Sequence, residues 1–160
     1  MSATLRWQRL LALSAILLLA LSMVLMSAST ADASTPRTKK VLHAASIAVN
    51  QIGDPYNYGS DGPNSFDCSG LTSFAYHRAG LSLPRTSGAQ ASYVRRIPKS
   101  NIRRGDLVFF YSGSGVYHVG MYLKRKNGQR IIVSASRPGT PVQRSAIWTS
   151  AWYAGTVRGR

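Results

Sequence analysis

Cys68 is the only cysteine in the 160-residue chain, and the histidines are three, His43, His77 and His118. A lone thiol is either a small buried apolar group or a nucleophile. Its sequence neighbours Asp67, Ser69 and Gly70 are polar or small, whereas an inert core cysteine would have apolar flanks. Leu71, Phe74, Ala75 and Ala79 repeat at helical spacing and close on Gly80, which predicts a helix with Cys68 in its first turn. At that position the open N–H groups and the positive end of the helix dipole favour thiolate, so a lowered thiol pKa is expected. A nucleophile of this kind needs a proton carrier. His43 and His77 fall on predicted helices and are expected to face solvent. His118 sits in a strand where Val119, Met121 and Leu123 share one face and His118, Gly120 and Tyr122 the other. Strand alternation alone leaves His118 open to a structural or a functional role. The chemistry available to such a Cys–His pair is acyl transfer through a covalent acyl-enzyme.

Other chemistries have few residues to draw on. All five acids are aspartates (Asp32, Asp54, Asp61, Asp67, Asp106), and glutamate is absent. Carboxylate-pair glycosidase chemistry and carboxylate-rich Ca²⁺ or Mg²⁺ cages are therefore disfavoured. One cysteine forbids an intramolecular disulfide, and no HxxxH or CxxC spacing occurs, so neither a metal site nor a cofactor is expected.

The elements that must position Cys68 and His118 follow an α+β order, with helices first and antiparallel strands after. Thr35-Pro36 is a cap signal, followed by Val41, Ala44, Ala45, Ala48 and Ile52 on one helical face, ending at Gly53. Residues 54–66, DPYNYGSDGPNSF, form a loop whose aromatics Tyr56, Tyr58 and Phe66 would suit a cleft wall. Residues 81–101 have no strong period beyond a short helical stretch through Ala89–Val94. Arg104-Gly105-Asp106 reads as a turn feeding the strand Leu107–Tyr111, not as an adhesion motif. Strands 116–125 and 130–136 flank Asn127-Gly128, a hairpin signal, and 151–157 would add a last strand.

The N-terminus changes the cellular context. Arg6 and Arg9 precede an apolar run from Leu10 to Met26, and Ala31-Asp32-Ala33 supplies a small-x-small cleavage pattern. Residues 1–33 are expected to be a secretory signal and 34–160 one exported domain, with membrane attachment only if the signal stays uncleaved. That domain keeps 18 Lys+Arg against 4 Asp, so a polyanion is the expected neighbour. For an exported protein this points to anionic wall polymers and not to nucleic acid. A monomer, secreted and cell wall-associated, is expected.

Several motifs together resemble the NlpC family of papain-like cell-wall peptidases. They are Pro55-Tyr56, Gly59, Gly62-Pro63-Asn64, Phe66-Asp67-Cys68-Ser69-Gly70-Leu71, Leu83-Pro84-Arg85-Thr86-Ser87, Gly105-Asp106-Leu107-Val108-Phe109-Phe110 and His118-Val119-Gly120-Met121-Tyr122. The resemblance spans residues 41–158. It implies a papain-like core in which a helix bearing the nucleophile packs on an antiparallel sheet bearing the histidine. It further implies cleavage of peptidoglycan stem peptides, commonly between γ-D-glutamate and the following diamino acid. Cys68 would be the nucleophile and His118 its base, with Tyr56, Asp67 and Ser69 binding substrate. Relatives usually place a third polar residue, most often histidine, on the next strand. This chain has Ser134 there, within Val133-Ser134-Ala135-Ser136. A two-residue Asn127-Gly128 turn would pair Ser134 with Met121, away from His118. A three-residue loop with Gly128 in a bulge would pair it with Gly120, on His118's face, and is the expected form. The other function open to this fold is a cationic wall-binding protein with little or no hydrolysis.

Overall fold

Thr35 starts the first helix, α1 (Pro36–Asn50): its hydroxyl accepts the Thr38 N–H, and Pro36 fills the first helical position. The structure is a computed structural model and describes residues 35–157; the expected secretory signal, 1–33, lies outside the described residues. One face of α1 buries Val41, Ala44, Ala45 and Ala48. Ile52, expected on that stripe, lies past the helix end and is exposed. The alanines allow close approach of α2 (Cys68–Arg78), which contributes Leu71, Ala75 and Tyr76 to the same core. A third helix, α3 (Ser87–Tyr93), is capped by Thr86 and pinned to the first turn of α2 by Gln90. The fully buried Gln90 amide accepts from Thr72 at 2.8 Å and donates to the carbonyls of Ser69 (2.9 Å) and Pro84 (2.8 Å).

Six strands follow: β1 (Arg95–Ile97), β2 (Leu107–Ser112), β3 (Gly115–Lys126), β4 (Gln129–Ser134), β5 (Gln143–Ala146) and β6 (Trp152–Thr156). They form one antiparallel sheet in the order β1-β6-β2-β3-β4-β5. Leu107, Phe109, Val119, Met121 and Val133 join the helical core. Val108, Phe110, Tyr122, Ile132, Trp152 and Ala154 form a second cluster, packed by Ile97, Ile102 and Ile147. This is the expected α+β, papain-like arrangement. The helix with Cys68 in its first turn, the strand at Leu107 and the alternation around His118 all stand where the sequence put them.

The hairpin differs in mechanism from the expectation. Its turn is the two-residue Asn127-Gly128, closed by Lys126 opposite Gln129, with both turn residues at positive φ. The register slips instead at a bulge between Tyr122 and Lys124, after which Met121 faces Val133. A Cβ on Gly120 would stand 3.4 Å from Ser134 Cβ, so these two residues are neighbours across the strands as expected, through Leu123 and not Gly128. The fourth strand ends at Ser134, two residues short of its expected end. Arg104-Gly105-Asp106 is the anticipated turn. Gly105 has φ 92°, and a Cβ there would lie 2.5 Å from Val41 Cγ1.

Candidate active site

The site is built around the start of α2. Asp67 is its N-cap, with Oδ1 accepting the Gly70 N–H at 2.7 Å. The same carboxylate accepts four further donors: Gly59 N–H (2.9 Å), Ser69 Oγ (3.2 Å) and both terminal nitrogens of Arg85 (3.0 and 2.8 Å). Burial pushes this carboxyl up. The Arg85 hydrogen bond and the Gly70 and Gly59 N–H groups more than offset that, holding it below the usual carboxylate range. Arg85 also donates to Ser69 Oγ at 3.1 Å and stands 3.7 Å from Asp61 Oδ2. The loop 54–66 crosses directly over this turn: a Cβ on Gly70 would meet the Ser60 carbonyl oxygen at 2.1 Å. Only glycine fits there.

Cys68 is placed by that cap at the first residue of α2. The expectation of a stabilised thiolate is overturned. Burial pushes the thiol up, and the Asp67 charge adds to that, while the N–H groups of Val119 and Ser69 and the Ser69 hydroxyl favour the anion too weakly to reverse it. The helix terminus acts on a sulfur that is mostly withdrawn from water, and desolvation wins. The Val119 contact shows how the strand reaches the helix. Paired residues of β3 and β4 stop at Met121–Val133, so β3 runs on past its neighbour and turns the edge at Val119 toward Cys68.

His118 precedes Val119 and is 5% exposed. Its ring lies 5.4 Å from Phe110 and 5.5 Å from Trp148, and Trp148 stacks on Phe110 at 4.1 Å. Burial lowers the imidazole to about 4, so it is neutral at neutral pH and can accept a proton. Cys68 and His118 thus line one cleft as thiol and imidazole. Nε2 of His118 is buried with no hydrogen-bond partner. Ser134 is 2% exposed and lies opposite Gly120, yet it does not hold that nitrogen. The orienting bond expected of Ser134 is not formed, because its short side chain faces the glycine between His118 and the bulge.

Cys68 and His118 open into one cleft of about 450 Å³, shared with Tyr56, Asp67, Ser69 and Arg85 and rimmed by Tyr58 and Tyr117. All the expected site residues except Ser134 line it; Ser136 does so instead. The Tyr56 phenol is pushed up by burial and by the neighbouring Cys68 and Asp67, so it presents an O–H donor. Of the loop aromatics expected on the cleft wall, Phe66 departs: it is fully buried, edge-on to Phe74 at 5.2 Å. The sequence gives Arg85 a place only within the Leu83–Ser87 motif, with no role in the site, and gives Tyr117 none. An arginine between Pro84 and the helix cap Thr86 was the available signal for the first.

The sequence pattern of the NlpC/P60 family matches residues 53–160. The chain belongs to the NlpC/P60 family. Among curated relatives, it is 51% identical over 84 residues to a protein of Listeria welshimeri named probable endopeptidase p60, covering 52% of this chain and 16% of that protein. It is 44% identical over 100 residues to a probable endopeptidase of Corynebacterium glutamicum, covering 62% and 45%. The NlpC/P60 chain therefore spans less than half the length of these relatives. Among solved structures, it resembles the peptidoglycan hydrolase RipB of Mycobacterium tuberculosis with TM-score 0.65 at 28% identity, covering 82% of this chain and 71% of that one. It matches the P60 domain of a Mycobacterium avium subspecies paratuberculosis antigen with TM-score 0.64 at 31% identity, covering 74% and 95%.

Proposed function

We propose that this NlpC/P60 chain is an exported cysteine endopeptidase that hydrolyses peptidoglycan stem peptides, at the amide between γ-D-glutamate and the diamino acid. The observation that carries the reading is the opening of Cys68 Sγ and the His118 imidazole into one cleft, each from a rigid element. The names of the relatives, probable endopeptidases and a peptidoglycan hydrolase, agree with it. Because thiol and imidazole are both neutral, the proton leaves sulfur as sulfur attacks. The Cys68 S–H proton passes to His118, a C–S bond forms and the carbonyl oxygen becomes an oxyanion. A helix leaves its first N–H groups without internal partners, and Asp67 takes that of Gly70; the Cys68 and Ser69 N–H groups are the donors for the oxyanion. The imidazolium then protonates the leaving amine as the C–N bond breaks, and water, deprotonated by His118, releases the acyl group from sulfur.

Of the substrate-binding residues, Tyr56 offers its hydroxyl to the cleft. Asp67 and Ser69 are committed to Arg85 and act by holding that guanidinium on the cleft wall. Ser134 fills the third position without orienting His118. Residues 1–33 direct export and 34–160 are the working domain, a monomer that is secreted and wall-associated. Its basic surface draws it to anionic wall polymers, with nucleic acid outside its path.

Mass spectrometry of muropeptides, before and after incubation of sacculi with the protein, tests this. New fragments ending at γ-D-glutamate are expected from the wild type and none from Cys68→Ala. Retention on sacculi with no fragments from either would establish the alternative, a cationic wall-binding protein of the same fold; the raised Cys68 thiol and the unpartnered His118 nitrogen are the features that would favour it.

A further inference from the structure

A second cavity, of about 410 Å³, lies outside the Cys68 cleft and is lined by three arginines from two separate segments. Arg95 comes from β1, and Arg103 and Arg104 from the turn before β2. Thr38, Asn101 and Thr156 add polar groups, and Leu42, Ile97 and Pro98 are among its apolar walls. Asp106 also lines the cavity. Its carboxylate is buried and accepts the Arg103 backbone N–H at 2.8 Å, leaving three cations to one anion.

The charge inventory of the chain makes this unusual. Among the described residues, the ion pairs are those of Arg85 with Asp61 and Asp67. Without any glutamate in the chain, Asp106 is the one acid among the residues that line this cavity. The three arginines outnumber the acid beside them. Arginine presents a planar fork that matches phosphate oxygens bidentately. Apolar walls between such forks suit a ligand in which anionic groups alternate with short carbon stems.

We infer that the Arg95–Arg103–Arg104 cavity is an anion-binding site for the phosphodiester groups of a polyol-phosphate chain of the cell envelope. It gives the wall attraction proposed above a defined place, but it does not depend on the Cys68 chemistry. Poly(glycerol phosphate) is therefore the probe, with binding measured by calorimetry and hydrolysis of a soluble stem peptide measured alongside.

Arg103→Gln/Arg104→Gln is expected to weaken polymer binding about tenfold or more, the scale of lost charge-assisted hydrogen bonds, with peptide hydrolysis and thermal midpoint unchanged. Arg95→Gln, on an exposed strand-edge side chain, should reproduce the loss if the double variant folds poorly. Lys124→Gln/Arg125→Gln removes equal charge at the exposed β3–β4 hairpin and should weaken binding by about twofold or less. An equal loss from the hairpin variant would overturn the site, leaving only diffuse charge. Polyglutamate binding as tightly as the phosphate polymer would overturn the phosphodiester assignment. Binding to phosphatidylglycerol vesicles but not to the polymer would overturn the polymer as its source. An inactive Cys68 site with this pattern intact would refute the endopeptidase alone.

Discussion

Acid should destabilise this fold through one imidazole. His118 titrates near 4 because it is buried, against the ordinary value of about 6.5 that it regains on unfolding. A histidine with a lowered folded-state pKa favours folding while it is neutral. Below its unfolded pKa the unfolded chain binds the proton that the native chain refuses, so stability is full above about pH 6.5 and falls as pH drops toward 4. At pH 4.5 the loss is roughly 2.5 kcal/mol relative to pH 7.5. Asp67, whose carboxyl is held low, behaves in the opposite sense. Its contribution is present above the usual carboxylate pKa and is lost only as pH falls below it, so pH 4.5 separates the two. The absence of glutamate keeps this window nearly clear of other carboxyls. Urea unfolding followed by tryptophan fluorescence, at pH 7.5 and 4.5, measures the difference for wild type and for His118→Gln. The wild type should lose roughly 2.5 kcal/mol more than the variant, whatever the variant's starting stability. Equal losses would mean that water reaches the ring and that Phe110 and Trp148 do not dehydrate it.

Iodoacetamide should alkylate Cys68 more slowly than free cysteine at pH 7, because burial keeps the thiol protonated; fast labelling that levels off below pH 7 would show a stabilised thiolate instead. Gly70→Ala should destabilise by about 2 kcal/mol, even though alanine is ordinarily favoured in helices, because the new Cβ strikes the Ser60 carbonyl oxygen. A raised thermal midpoint would contradict that crossing. Ser134→Ala should leave kcat within about twofold, since no hydrogen bond joins Ser134 to His118 and there is none to lose. A loss of a hundredfold in peptide hydrolysis would place the hydroxyl back in the mechanism.

The parts of this fold that carry their own signals were legible in the sequence. Thr35-Pro36 and Asn127-Gly128 each fix a boundary by local chemistry, the helical spacing that closes on Gly80 puts Cys68 in a first turn, and the apolar alternation around His118 assigns its face. The strands β1 and β5 were not legible. Arg95–Ile97 and Gln143–Ala146 are short and polar, and their existence depends on hydrogen bonds to β6 and β4 across the sheet. The bulge at Leu123 was equally silent, since nothing in Tyr122-Leu123-Lys124 demands an extra residue; the neighbourhood of Gly120 and Ser134 was reached through the wrong turn. The protonation of Cys68 could not be read locally either. A helix start says thiolate, and only the packing of the loop, α2 and β3 around the sulfur shows that dehydration overrides it.

The carboxylate of Asp67 has a consequence for anyone recombining members of this family. Five donors from three stretches of chain, Gly59 in the loop, Ser69 and Gly70 in α2, and Arg85 ahead of α3, all end on its two oxygens. Loop, helix and arginine are therefore one unit of inheritance. A loop 54–66 grafted from a relative keeps its shape only if it returns an N–H at the position of Gly59 and a carbonyl at that of Ser60. A segment lacking Arg85 would arrive with its buried anion deprived of its cation. Exchange of cleft walls between such proteins should succeed when residues 54–90 travel together and fail when the join falls inside them.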